Sequence, residues 1–368
     1  MAKHVRQEKV RSVSRTGRVI KSIFDDILLT GIVLCVFALF HHVIPRVTAL
    51  IGAPKQVTPT AIVTPAPVTP APTEEPTVQP TDESTAEPEV TPEPVIDDRT
   101  EWQKTFEEYF TDTVVETENS YSSPDVAVEI TTYEETINGH KQTYYVADIH
   151  IARIENFRTA AAPNGFTAYS SKSAVKMDEE TNAIVQVNGD YCNVQHSGIL
   201  VRNGEVYYTD VSENDICVLY YDGTVETYTP GSYDPQKIID ALPYQIWKFG
   251  PALLDENGEP CTTFNSTLKA DNPRTGLGYY EPGHYCFVVV DGRQKHSLGM
   301  TLAEFSQLFK DLGCTRAYNM DGGASSVMTF NNAIYNKQSM NRFLGDTLYI
   351  CELPTETESS AVAEEEGQ

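Results

Sequence analysis

Basic residues are what this chain has least of: 27 Lys and Arg stand against 52 Asp and Glu in 368 residues, a formal charge of -25. Outside the N-terminus there is no basic patch and no interleaving of basic with aromatic residues, which argues against nucleic acid as a partner. No CxxC pair and no Cys/His spacing marks a zinc site. EF-hand and other metal-loop patterns are also missing, so the sequence asks for no cofactor, although a divalent cation such as Ca2+ is compatible with it. No internal repeat is evident.

The acid is unevenly spread. Pro54 to Asp98 carries nine Asp or Glu against Lys55 alone, and six more Glu follow Cys351 with no base among them. Residues 1–22 reverse the sign, with Lys3, Arg6, Lys9, Arg11, Arg15, Arg18 and Lys21 against Glu8. An apolar run then extends from Ile27 through Phe40 to Ile44. No small-residue cleavage site follows at once, the nearest lying around Ala49 to Ala53, so the pattern predicts a signal anchor over 23–44, with a cleaved signal peptide as the alternative. Basic residues ahead of the span place the N-terminus in the cytoplasm and everything after it outside the cell membrane.

Residues 45–98 are rich in Pro, Thr and Glu, as in TPTAIVTPAPVTPAPTEEPTVQP. Such a stretch buries too little apolar surface to fold and favours extended polyproline II. At about 3 Å per residue, a stalk of this kind holds a domain up to ~120 Å from a membrane. The acidic end, 354–368, reads as a second disordered segment. Six of the seven cysteines lie beyond the stalk, and Cys35 lies in the span. Six cysteines permit about 15 pairings, and their strand-like surroundings leave disulfides and buried free thiols both open.

What remains is enough for one large domain with its own core. Glu101 to Phe110 has helical spacing of Trp102, Phe106, Tyr109 and Phe110, predicting an entrance helix and connector over 99–124. Strands are predicted at Val126–Glu134, Tyr144–Ile151, from Ala183 to an end at Asn188-Gly189, and at Trp247–Leu254, Tyr285–Val290, Ala317–Asn319, Val327–Phe330 and Thr347–Cys351. Asn203-Gly204 and Asp222-Gly223 each mark a hairpin. Pro235–Leu242 reads as a helix. Thr301–Leu312 is the clearest one, with Thr301 and Glu304 as a capping box and Gly313 as its stop. Many strands with few helices make 125–353 a single strand-rich α+β (mixed α/β) domain rather than a doubly wound one.

One segment carries most of the chemical signal. NMDGGASSVM, Asn319 to Met328, runs from an apolar lead-in at Ala317 and Tyr318 into an Asp, two glycines and two serines. A carboxylate before Gly-Gly, with two hydroxyls after it, suits the floor of a polar pocket. The same residues also suit a strand-to-helix turn capped by Asp321. Upstream lie VNGDYC (Val187–Cys192), NPRTGLGY (Asn272–Tyr279) and VVVDGRQKHSLGMTL (Val288–Leu302). In this order the four segments resemble the phosphodiester glycosidase family, over roughly Tyr144 to Glu352.

That resemblance implies a hydrolase that cleaves a sugar from a phosphodiester, with N-acetylglucosamine as one candidate sugar. Such a site needs donors for phosphate, a carboxylate for protons or developing positive charge, and polar groups for sugar hydroxyls. Asp321 is the first candidate acid or base, Asp190 the natural second carboxylate, and His296 a third group able to move protons. Arg274, whose planar fork suits a phosphate, and Arg293 are the candidate cations, with Thr275 beside Arg274. Asn188, Gly322, Gly323, Ser325 and Ser326 complete the substrate-binding set. No residue is assigned to a metal. The expected enzyme is outward-facing and membrane-anchored, acting on surface polysaccharide, teichoic acid or glycolipid. The alternatives are a phosphodiesterase or transferase that breaks the P–O bond and a non-catalytic carbohydrate-binding wall-assembly module.

Overall fold

In the computed structural model, the described residues are 60–61, 99–194 and 197–354. The predicted anchor, the acidic tail and most of the stalk lie outside them. The exception within the stalk is Thr60–Ala61, a two-residue strand paired antiparallel with Val206 and Glu205. Among the described residues, no helix is long and apolar enough to cross a membrane.

Three antiparallel sheets organise the domain. The seven-stranded sheet runs, from edge to edge, through Arg316–Asn319, Arg274–Glu281, His284–Val290, His140–Ile151, Val126–Ile137, Ser120–Ser122 and Val115–Glu116. Its longest hairpin joins Val126–Ile137 to His140–Ile151 through Asn138 and Gly139, at φ +50° and +83°. Two consecutive left-handed residues are what a two-residue hairpin turn of matching twist demands. The Asn203-Gly204 hairpin shows the same pair of signs, +49° and +82°. It joins Ile199–Arg202 to Glu205–Thr209 in the six-stranded sheet. The five-stranded sheet includes Met328–Phe330, Val185–Asn188, Asp346–Ile350 and Phe157–Ala161.

One core joins all three sheets: Val126, Ile149 and Phe287 meet Val187 and Leu348, and also Cys217 and Trp247. The opposite face of the seven-stranded sheet is covered by the helix Leu302–Asp311. Its Leu302, Phe305, Ser306, Leu308 and Phe309 are buried, the stripe expected of an amphipathic helix. Thr301 and Glu304 form the predicted capping box. The helix lies close to the strand because that strand carries glycine. A Cβ on Gly276 would stand 2.8 Å from Phe309 Cζ, and one on Gly278 would stand 2.5 Å from Cys286 Sγ.

Several expected elements shift. The predicted entrance helix is a five-residue helix, Glu101–Thr105, closed by a capping box between Thr100 and Gln103. NPRTGLGY is a turn only at its start; Arg274–Glu281 is an inner strand. Trp247–Leu254 is not a strand. Pro243–Trp247 is, and the chain beyond it bends through Gly250 at φ +74° before Pro251. The strand Phe157–Ala161 and the helix Ala174–Thr181 carry weaker patterns and are additions to the sequence reading. All six cysteines of the domain are free thiols, and Cys261 alone among them is not buried.

Candidate active site

Two strand ends from different sheets meet at NMDGG. Arg316–Asn319 ends an edge strand of the seven-stranded sheet, and Val185–Asn188 ends a strand of the five-stranded sheet. Asp321 bridges them, its N–H donating to Gly189 O at 3.2 Å. The chain then makes a short 3-10 turn over Gly323–Ser325. Gly323 takes φ +67°, and a Cβ there would stand 3.0 Å from Arg293 Nη2. Ala324 has no left-handed backbone, so the turn needs glycine at 323 and not at 324.

Asp321 faces a cleft of about 680 Å³, and Arg274, Arg293 and Arg342 also line it, together with Asn272, Asn319, Phe249 and Phe264. Its Oδ1 accepts the Gly322 N–H at 2.9 Å. Burial raises the Asp321 carboxyl above the ordinary carboxylate value, while the Ser325 hydroxyl and the charge of Arg342 pull it back. A carboxyl so placed is suited to hold or release a proton within the cleft.

The three arginines differ in freedom. Arg293 is exposed and held by one hydrogen bond to Asn272 Oδ1, at 2.8 Å. Arg342 is exposed and lies over the Tyr191 ring, 5.4 Å from its centroid. Arg274 is buried: its Nε donates to Met300 O at 2.9 Å, and its Nη2 donates to Leu268 O at 2.9 Å and Ala270 O at 2.6 Å. Burial, with Arg293 nearby, lowers its pKa to about 10, against the pull of Asp271. Its fork therefore staples the loop that walls the cleft.

Other predicted residues are turned inward. Asn188 Oδ1 accepts from Thr275 Oγ1 at 2.7 Å and from Val327 N at 3.2 Å. Its amide donates to Asp321 O at 2.7 Å and Gly189 O at 3.3 Å. All four capacities of the amide are taken, so Asn188 holds the Asp321 backbone and has nothing left for a ligand, while Thr275, fully buried, braces Asn188. Ser325 and Ser326 are both buried, and Ser326 Oγ has no hydrogen-bond partner. His296 does not join the cleft. Its Nε2 pairs with Asp291 Oδ2 at 3.1 Å, and it lines a separate hollow with Glu134, Glu135 and Lys141.

Asp190 is fully buried. Its Oδ1 accepts from Arg202 Nη2 at 2.7 Å, and its Oδ2 accepts the Lys248 N–H at 2.8 Å. Burial pushes its pKa up, but Arg202 and Lys248 together outweigh this and leave it below the ordinary carboxylate value. Behind it stands Asp346, which accepts the N–H groups of Asp190 and Tyr191 at 3.2 and 2.9 Å. Burial first, then the Asp190 charge, raise Asp346 to about 7. Only glycine permits this approach, since a Cβ on Gly189 would lie 2.1 Å from Asp346 Oδ2. Asp346 and Asp321 share the walls of a second hollow of about 10 Å³, roughly the room for one water.

Sequence reasoning passed over Arg342, Asn319 and Asp346. Arg342 and Asp346 sit in a loop and a strand start without a local motif, and Asn319 reads as the last residue of a buried strand.

Fold and cleft together define a strand-rich α+β domain with a polar, arginine-lined groove around one carboxylate. Residues 181–351 match the sequence profile of the family described as phosphodiester glycosidase, a family of hydrolases. The SPbeta prophage-derived uncharacterized protein YomE of Bacillus subtilis (strain 168) is 27% identical over 217 residues, covering 55% of this chain. The chain spans only about a third of that relative's length, 33%. Among solved structures, the zebrafish N-acetylglucosamine-1-phosphodiester alpha-N-acetylglucosaminidase catalytic domain, auto-inhibited by its pro-peptide, superposes with a TM-score of 0.53. That match has 19% identity and covers 63% of this chain and 85% of the other. At that identity the likeness is one of fold.

Proposed function

We propose that this domain hydrolyses the anomeric bond of a sugar 1-phosphodiester. The supporting observation is the placing of Asp321, with its raised pKa, in one cleft with the exposed Arg293 and Arg342. The two guanidinium groups hold the phosphate and neutralise the charge that builds on it as it leaves. Asp321 governs the proton and stabilises positive charge developing at the sugar carbon. The C1–O bond breaks, and its electron pair leaves with the phosphate. Water supplies the new oxygen at C1, one water proton stays on the sugar hydroxyl, and the other passes by way of Asp321 to the departing phosphate or solvent. The products are a free sugar and a phosphomonoester. Arg274 shapes the wall, and Asp190 with Arg202 holds the floor.

N-acetylglucosamine is the first sugar to try, given what the zebrafish enzyme acts on. The basic-then-apolar N-terminus and the Pro/Thr-rich stretch support an outward-facing domain on a membrane anchor, working on surface polysaccharide, teichoic acid or glycolipid.

The full chain should release N-acetylglucosamine from UDP-N-acetylglucosamine, and Asp321→Asn should lower that rate by roughly 10²–10⁴-fold. Arg342→Ala should lower kcat/KM while leaving the fold intact. Glycan binding without turnover, unchanged by Asp321→Asn, would instead identify a carbohydrate-binding module.

A further inference from the structure

A second cluster of chemically capable side chains lies on the seven-stranded sheet and shares no residue with the cleft. Asp148 and His150 stand two residues apart on one strand and so point to the same face. His284 is directly opposite His150 on the neighbouring strand, and Glu129 is opposite Asp148 on the other side. His284 Nε2 lies 2.7 Å from Asp148 Oδ1. One donor atom from each of Asp148, His150 and His284 falls within 4.8 Å of the other two.

His150 carries the stronger signal. It is only 2% exposed, its ring packed between Tyr109 at 3.8 Å and His284 at 4.1 Å, centroid to centroid. Its ring nitrogens are not among the fully buried unpaired side-chain atoms, so a ligand can reach the ring from the hollow beside it. The cluster opens onto a hollow of about 140 Å³ whose walls include Glu129, Asp148, His150 and Tyr121.

We propose that Asp148, His150 and His284 form a transition-metal site whose natural ion is Zn2+. Two imidazoles and a carboxylate are borderline donors that suit zinc, whereas Ca2+ and Mg2+ prefer sets made only of oxygen. Two ligands spaced i, i+2 on one strand and a third across the ladder converge on one point above a sheet. The fourth position faces the hollow, within reach of Glu129 or water. Binding turns His284 out of its stack and exchanges its hydrogen bond with Asp148 for a bond to the ion. Tyr109 lies on His150, and Phe106 meets both imidazoles edge-on at 5.0 and 5.9 Å. The ion thus ties the segment that follows the Glu101–Thr105 helix to the sheet.

The untagged full chain, stripped with a chelator and returned to metal-free buffer, is titrated with ZnCl2. Bound metal is counted by mass spectrometry and affinity is read by calorimetry. The expected result is one saturable Zn2+ per chain, a raised Tm at saturation, and no comparable uptake of Mg2+. Asp148→Asn and His284→Gln, each with wild-type circular dichroism before zinc is added, should weaken binding by at least about tenfold. No saturable uptake by the wild-type chain overturns the site. Uptake that survives both substitutions does the same, because other His or Cys side chains then hold the metal.

Discussion

Asp190 and Asp321 sit close in the fold but in opposite electrostatic settings, and that difference separates their roles. Asp190→Asn leaves buried Arg202 with Asp346, at the longer distance of 3.8 Å, as its remaining carboxylate, and weakening a buried pair in this way costs up to roughly 3–5 kcal/mol. Urea denaturation should show this loss, whereas Asp321→Asn should leave stability nearly unchanged and remove activity. Asp346 adds a pH signature. The folded state keeps its proton up to about 7, while the unfolded chain releases it near its ordinary value of 3.8. Its contribution is therefore complete at the acidic end and is lost as the pH rises to about 7. Burial holds His150 neutral down to about 4 and tilts the curve the other way below 6.5, and Asp178, raised to about 6, tilts it with Asp346. The informative quantity is thus the difference between two proteins. Asp346→Asn should gain on the wild type between about pH 4 and 7, and parallel stability curves across that window would refute a raised Asp346 carboxyl in the folded state. None of this was legible in the sequence, because Asp190, Arg202 and Asp346 meet only through the pairing of separate strands.

At the level of elements, local chemistry was readable wherever a turn or cap is made by neighbours in sequence. The Thr301–Glu304 box and the Asn203-Gly204 hairpin need only adjacent residues, and both stand where expected. Arg274–Glu281 was obscured because its glycines mimic turn residues, whereas their real cause is the helix packed above them. Gly276→Val tests that account. Its branched side chain must displace Phe305 and Phe309, and overpacking of this kind costs roughly 1–3 kcal/mol. A fall in the urea midpoint with unchanged slope is expected. A variant as stable as the wild type would mean that the helix does not depend on the bare strand.

For the whole molecule, the cleft is the product of two sheets meeting end to end. The DGG turn could be read because its carboxylate and glycines are contiguous, and all three residues line the groove. Arg342 could not, because an isolated loop arginine looks like any solvated charge until the fold carries it opposite Asp321. A site that holds phosphate through two exposed guanidinium groups should also be sensitive to salt. KM should rise with ionic strength, and Arg342→Ala should weaken that dependence. The central claim is that the C1–O bond is the one broken. Turnover of UDP-N-acetylglucosamine in water enriched in 18O, read by mass spectrometry of both products, tests it directly. Label in the free sugar with unlabelled UDP is the predicted result. Label in phosphate, with sugar 1-phosphate or UMP among the products, would contradict it and identify P–O cleavage.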